Sequence, residues 1–239
     1  MLALAAARFG LHCHVFSPEK DSCAFDVVRE KTCASFEDEA ALARFANHCD
    51  IITFEFENVP ADTADFLVAN KKPVLPDPGI LATTQDRLAE KHFLTDFEIK
   101  TAPYAEISSD VDISVAIVQV PAPAVMKTRR LGYDGKGQVI VRADAEIEPA
   151  CLELGGANLI AEAFVPFDRE VSILAVRGRN SATAFYPLVE NQHRDGILRI
   201  SRAPAPDTSD LQAQAERYAN DVLQALDYVG VLAIEFFVN

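Results

Sequence analysis

The stretch AVMKTRRLGYDGKGQVIVR, residues 124–142, constrains this chain more than any other. A strand-like run ending in Lys127 leads into the glycine loop Gly132-Tyr133-Asp134-Gly135-Lys136-Gly137-Gln138, and the apolar run VIVR brings the chain back. The Asp-Gly step supplies φ > 0 positions, which a tight reversal between two strands demands. The window therefore predicts a β-hairpin. Its charge says more: Lys127, Arg129, Arg130, Lys136 and Arg142 stand against the single acid Asp134, in a chain of formal charge −14. A basic hairpin with a side-chain-free tip suits a polyphosphate, because backbone N–H groups approach closely and cations offset the anion. The same residues also suit an ordinary hairpin, and a glycine loop alone does not separate the two.

The rest of the chain divides by pattern. Residues 1–8 read as a helix stopped by Gly10, 11–16 as a strand, 37–47 as a helix and 50–56 (DIITFEF) as a β-rich run. A helix begins near Pro60, a short strand follows at Val74-Leu75, and 78–97 reads as one long helical stretch. Strands separated by helical segments predict a parallel α/β sheet. Thr101-Ala102-Pro103 breaks that alternation. Beyond it come a helix over 110–119, the glycine hairpin, strands over 158–165 and 170–177, and β runs over 183–190 and 197–201. An amphipathic helix carries Leu211, Ala215, Ala219, Val222 and Leu226 on its apolar stripe; Gly230 ends it, and GVLAIEFFV closes the chain as a buried strand. Three regions result: an α/β domain over 1–100, a lobe with the glycine hairpin over 101–178, and the start of a second lobe over 179–239.

Charge and composition exclude several functions. A strongly acidic chain does not bind nucleic acid or anionic membrane non-specifically. No run of about 18 apolar residues is present, so no transmembrane helix is expected. The opening MLALAAARFG lacks a basic leader and carries Arg8, so it reads as a helix start rather than a secretory signal, and the expected compartment is the cytoplasm. The five cysteines form no Cys-x-x-Cys pair, which supports neither a disulfide framework nor structural zinc. His12 and His14 share one strand face while Cys13 takes the other, so packed or exposed strand residues are the reading there.

Several carboxylates carry possible chemistry. Glu235 sits inside the apolar run VLAIEFFV, where burial is expected to be deep and the carboxylate needs a cation or a dense set of donors. Magnesium held by that carboxylate and nucleotide phosphates is one solution; an internal salt bridge or a solvent-facing position is the other. Glu162 and Glu170 flank a turn between two strands. The backbone after Glu162 suits a planar heterocycle and Glu170 suits sugar hydroxyls, although surface strand residues look the same. Glu55 and Glu57 share a face of the expected strand DIITFEFEN, at the end where α/β sheets place ligands. His193 lies in a polar turn.

Taken together, DIITFEFENVP (50–60), QDRLAEKHFL (85–94), VMKTRRLGYDGKGQ (125–138), EAFVPFDREVSILAVR (162–177), YPLVENQHRDGILRISRAPA (186–205) and GVLAIEFFV (230–238) carry a family likeness. The chain resembles the N5-carboxyaminoimidazole ribonucleotide synthases, ATP-grasp ligases of purine biosynthesis. The resemblance implies an N-terminal α/β domain, a small lobe and a larger catalytic lobe, with ATP between the lobes. It implies that Arg87 and Lys127 meet ATP phosphates, that Gly132, Tyr133, Asp134, Gly135, Lys136, Gly137 and Gln138 fold over them, and that Glu162, Ala163, Phe164 and Val165 form the adenine hinge. Glu170 goes to the ribose, His193 completes the nucleotide site, and Glu235 holds Mg²⁺. Tyr133, Asp134, Lys136, Glu55 and Glu57 resemble the surroundings of 5-aminoimidazole ribonucleotide.

The implied reaction uses ATP and bicarbonate to carboxylate that ribonucleotide, releasing ADP and phosphate, and the family likeness suggests a homodimer. Against the family pattern both ends look cut: a first strand with its glycine turn, a second magnesium carboxylate beyond Glu235 and a C-terminal domain are expected but not found. On that reading the chain holds its nucleotide weakly and does not turn over. Another ATP-grasp carboxylase or ligase, or an inactive nucleotide-binding remnant, are the competing readings. A Rossmann-type dehydrogenase is disfavoured because no G-x-G-x-x-G follows a strand in the first region.

Overall fold

A computed structural model describes residues 1–132 and 135–239, with the backbone alone at 110 and 111. The chain separates into two units, Met1–Ala82 and Thr83–Asn239. In the first unit α1 (Leu2–Arg8) precedes β1 (His14–Ser17), which pairs in parallel with β2 (Glu30–Cys33). Helix α2 (Glu39–Asn47) starts where the Asp38 carboxylate accepts from the Ala41 N–H at 2.9 Å, filling one of the donors a helix start leaves open. Its residues Ala41, Leu42, Phe45 and Ala46 recur at helical spacing and are buried. Leu42, Phe45 and Ala46 form one core with Ile52, Val74 and Leu67, the last from α3 (Ala61–Ala69).

The β-rich run at 50–56 is not a strand. Ile52 makes a single parallel bridge to Val74, with Ile52 N–H donating to Pro73 and Leu75 N–H donating to Ile52. Pro73 and Pro76 bracket that bridge, and a residue without an N–H cannot extend a ladder. Glu55 and Glu57 therefore sit in irregular chain rather than on one face of a strand. The stretch read as one helix over 78–97 is two, α4 (Pro78–Thr84) and α5 (Arg87–Asp96). Asp86 interrupts them in an extended conformation and caps α5, accepting from the N–H groups of Leu88 and Ala89.

The described residues of the second unit form two antiparallel sheets. The first has the order β3-β6-β4-β5, from β3 (Tyr104–Ile107), β4 (Ala124–Thr128), β5 (Gln138–Val141) and β6 (Leu159–Ala163). Helix α6 (Asp110–Gln119) lies between β3 and β4 in sequence, and α7 (Ile147–Glu153) between β5 and β6. They cover one face, where Ile107, Met126, Leu159 and Ala161 meet Ile113, Ala116, Ile147 and Cys151. The opposite face carries Val125, Lys127, Ile160 and Glu162, fixed there because Lys127 registers with Ile160 and Val125 with Glu162.

The second sheet runs β10-β9-β7-β11, from β7 (Arg169–Arg177), β9 (Val189–Arg194), β10 (Ile197–Arg202) and β11 (Gly230–Val238); the short β8 (Thr183–Phe185) shares the β9 side of β7. The β run expected over 183–190 breaks at Pro187. Helix α8 (Ser209–Ala225) packs on β7 and buries Ala215, Ala219, Val222 and Leu223. It ends at Leu226, and Gly230 begins the last strand instead of ending the helix.

Candidate functional site

The expected hairpin forms: β4 and β5 pair from Ala124↔Val141 to Lys127↔Gln138. Its root carries a buried charge cluster. The Lys127 ammonium lies 3.0 Å from a Glu162 carboxylate oxygen, and the Lys91 ammonium reaches the same oxygen at 3.5 Å. The side chains are only 19%, 17% and 10% exposed for Lys127, Lys91 and Glu162. Lys91 follows Arg87 by one helical turn on α5, so both cations point the same way. Burial pushes the Glu162 carboxyl up, but Lys127, Lys91 and Arg87 together outweigh it and hold the group below the usual carboxylate range. Burial depresses the Lys127 ammonium, and the attraction of Glu162 only partly restores it. The neighbouring Glu90 is raised, first by burial. Three cations thus converge on one firmly ionised carboxylate, beside a second acid that resists ionising. Such a cluster has spare positive charge for an anion.

The glycine loop is fitted closely onto this root. At Gly137, with φ +71°, an added Cβ would fall 2.5 Å from Thr128 Oγ1, and the Gly137 carbonyl accepts from the Thr128 N–H. No other residue fits there. Gly132 lies against the Arg87 guanidinium, and Gly135, with φ +74°, lies against the Asp195 carbonyl in the turn between β9 and β10. Tyr133 and Asp134 fall outside the described residues.

A second network fastens α5 to β4. Asp86, 5% exposed, accepts from Arg129 Nε at 3.0 Å and Nη2 at 2.8 Å and from Arg130 Nε at 3.3 Å, besides capping its own helix. The Arg129 carbonyl accepts from the Arg87 N–H, and Arg129 Nη1 reaches Glu106. Burial raises the Asp86 carboxyl, and the Arg129 hydrogen bonds with the two helix N–H groups bring it below its ordinary value.

Alternation decides which residues of the second sheet share a face. Val171, Ile173 and Ala175 of β7 are buried, which turns Glu170, Ser172 and Leu174 to the other face. Register places Asn191 opposite Glu170, and Phe237 and Glu235 opposite Glu170 and Ser172. His193 Nδ1 is hydrogen-bonded to the Glu170 carboxylate. Glu170, His193 and Glu235 thus share one face. The deep burial expected for Glu235 does not hold: β11 is an edge strand, its residues alternate, and Glu235 is exposed with Val231, Ala233 and Phe237. In the stretch Glu162, Ala163, Phe164 and Val165, the Ala163 and Phe164 N–H groups donate to Pro103 and Pro123, and the Glu162 side chain is taken by the lysines. Glu55 and Glu57 belong to the first unit, where the Glu55 side chain is 62% exposed.

Sequence reasoning passed over Lys91 and Asp86. The i, i+4 spacing from Arg87 marks Lys91 on a helix, and the Asp before a helical run marks Asp86 as a cap. Its ion pairs with Arg129 and Arg130 had no signal in the sequence. Among the described residues no three His, Cys, Asp or Glu side chains cluster to hold a metal alone. Magnesium does not need such a cage, since it takes one or two carboxylates and completes its shell with phosphate oxygens and water. The exposed Glu235 carboxylate fits that role.

Two family models and several known proteins match the chain. The ATP-grasp domain family matches residues 92–239, and the ribonucleotide synthetase preATP-grasp domain family matches residues 1–85. The chain is 45% identical over 237 residues to the N5-carboxyaminoimidazole ribonucleotide synthase of Pseudomonas aeruginosa, covering 99% of this chain and 65% of that protein. The crystal structure of N5-carboxyaminoimidazole ribonucleotide synthetase from Thermus thermophilus superposes with a TM-score of 0.93 at 47% identity, covering 100% of this chain and 64% of that one. The Staphylococcus aureus N5-carboxyaminoimidazole synthetase complexed with ADP gives 0.93 at 32% identity, covering 100% and 63%. The chain spans just under two thirds of the length of the curated relatives it matches, 65% and 66% for the first two. Since the longer match covers more than half of the chain and takes in every strand of both antiparallel sheets, Lys127, Glu162 and the glycine hairpin, the chain belongs to the ATP-grasp family.

Proposed function

We propose that this chain binds ATP with Mg²⁺ and serves the ATP- and bicarbonate-dependent carboxylation of 5-aminoimidazole ribonucleotide to N5-carboxyaminoimidazole ribonucleotide, with release of ADP and phosphate, in purine biosynthesis. The observation that carries the reading is the convergence of Lys127, Lys91 and the field of Arg87 on Glu162 at the root of a glycine loop. Such a site answers a triphosphate, and the named relatives supply the rest of the chemistry. Arg87, Lys91 and Lys127 bind phosphate oxygens, and Gly132 to Gln138, with Tyr133, Asp134 and Lys136, cover them. Glu162, Ala163, Phe164 and Val165 lie along the adenine edge. Glu170, oriented by His193, accepts from the ribose, and Lys136 serves the aminoimidazole ribonucleotide.

Magnesium, held by Glu235 and phosphate oxygens, would offset charge on the transferring phosphoryl. Bicarbonate attacks the γ-phosphorus, the β–γ bridging bond breaks, and the carboxyl group then passes to the exocyclic amine as phosphate leaves. Fixed cations stabilise the charge that develops on the phosphoryl oxygens, and a closed glycine loop keeps water from the labile intermediate. The family likeness makes the working unit a homodimer in the cytoplasm. No helix among the described residues is long and apolar enough to cross a membrane.

Phosphate release tests the reading. The expected result is release from Mg-ATP that requires both bicarbonate and 5-aminoimidazole ribonucleotide and disappears in Lys127→Met; Mg-ATP binding with no release is instead the outcome of the inactive-remnant reading that the cut ends suggested. Release that ignores the ribonucleotide, or that prefers another amine acceptor, contradicts it.

A further inference from the structure

The second sheet holds a buried amide on its ligand face for which the roles above have no use. Asn191 is 7% exposed. Its Nδ2 donates to Ser172 Oγ at 2.9 Å, and its Oδ1 accepts from Ser201 Oγ at 3.0 Å. Ser201 is its register partner on β10, so three adjacent strands contribute one chain, Ser201 to Asn191 to Ser172. The direction matters. Ser172 Oγ accepts from the amide, so its own proton must go elsewhere. The hydroxyl lies directly opposite Glu235 and two residues along β7 from Glu170, on the face both carboxylates share.

We propose that Ser172 is a nucleotide-contacting residue whose hydroxyl donates to a polyphosphate oxygen, and that Asn191 and Ser201 are the residues that position it. The inference rests on the proposed nucleotide reading. If Glu170 marks the ribose and Glu235 the metal, the phosphates run along β7 between them, a rise of about 7 Å over two residues. Ser172 is the β7 side chain on that face at the metal end of the interval. Its surroundings are two carboxylates, which offer acceptors but repel phosphate. A donor fixed among them steers the phosphate oxygens, with the metal, past acids that would otherwise turn them away. A neutral serine does this without adding a cation that would displace magnesium from Glu235.

The test compares binding of Mg-ATP, Mg-ADP and AMP to the whole chain by titration calorimetry, for wild type and for Ser172→Ala, Ser172→Thr, Asn191→Ala and Ser201→Ala. Ser172→Ala is expected to weaken Mg-ATP by about tenfold, the effect of losing one hydrogen bond to a charged oxygen, and to leave AMP unchanged. Ser172→Thr restores ATP affinity. Asn191→Ala and Ser201→Ala shift the ATP-to-AMP ratio the same way by less. Equal losses for ATP and AMP mean a merely structural role and overturn the inference, as does wild-type ATP affinity in Ser172→Ala. A wild-type chain that binds no nucleotide overturns the functional reading, and this inference with it; binding that is insensitive to Ser172 overturns this inference alone.

Discussion

Replacing Glu162 by Gln isolates the charge balance at the lysine–glutamate root. The substitution keeps the shape and one acceptor oxygen but removes the negative charge between Lys127 at 3.0 Å and Lys91 at 3.5 Å. All three side chains are less than one-fifth exposed, so water screens the loss poorly. Breaking a buried pair by removing one partner costs about 3–5 kcal/mol. The retained glutamine oxygen still accepts from an ammonium, which puts the expected loss near the lower end, about 3 kcal/mol. At about 2–4 °C per kcal/mol for a unit of this size, the unfolding temperature drops by roughly 6–12 °C. An added polyanion replaces the missing charge, so saturating pyrophosphate raises the unfolding temperature of Glu162→Gln more than that of wild type. Differential scanning fluorimetry with and without pyrophosphate reads both effects. A drop of less than about 2 °C, or equal gains from pyrophosphate, refutes the picture of an unbalanced cationic site.

The pH dependence follows from the same groups. Glu162 and Asp86 both have carboxyls held below their ordinary values, so their stabilisation is present above the unfolded value, about pH 4, and is lost as pH falls through the folded one. The deficits of Glu162→Gln and Asp86→Asn, measured by urea unfolding, should shrink towards zero as pH falls below about 4; constant deficits contradict this. Glu90 has the opposite sign, since its raised carboxyl loses stability as pH rises through the folded value, so Glu90→Gln should be more resistant to urea than wild type at neutral pH. Gly137→Ala forces a Cβ to within 2.5 Å of Thr128 Oγ1 at a positive φ, and should cost about 1–3 kcal/mol and weaken Mg-ATP binding. Wild-type stability and affinity in that variant would show that the loop sits differently on β4.

The hairpin and the large amphipathic helix were legible because their signals are local: a glycine turn between two apolar runs, and an apolar stripe at helical spacing. The run DIITFEF was misleading because its composition is that of a strand while its bridging partner Val74 is bracketed by Pro73 and Pro76. Glu235 was misjudged for a related reason. An apolar run signals burial on both faces only inside a sheet, and β11 is an edge strand, which the sequence of one strand does not reveal. The strand at Glu30–Cys33 (EKTC) shows no apolar alternation, since its pairing with β1 comes through the backbone. At the site, sequence pointed to Lys127 and Glu162 separately. Their contact depends on β4 and β6 being neighbours, and 35 residues separate them. Asp86 and Arg129 are joined across 43 residues in the same way.

The central claim, that the lysine–glutamate root binds the phosphates of an adenine nucleotide, is tested most directly by calorimetric titration of the chain with Mg-ATP beside Lys91→Met/Lys127→Met. The account predicts saturable binding at one site in wild type and none detectable in the double variant, whose fold is verified by circular dichroism. Equal affinity in the two proteins would place the nucleotide elsewhere and contradict the account.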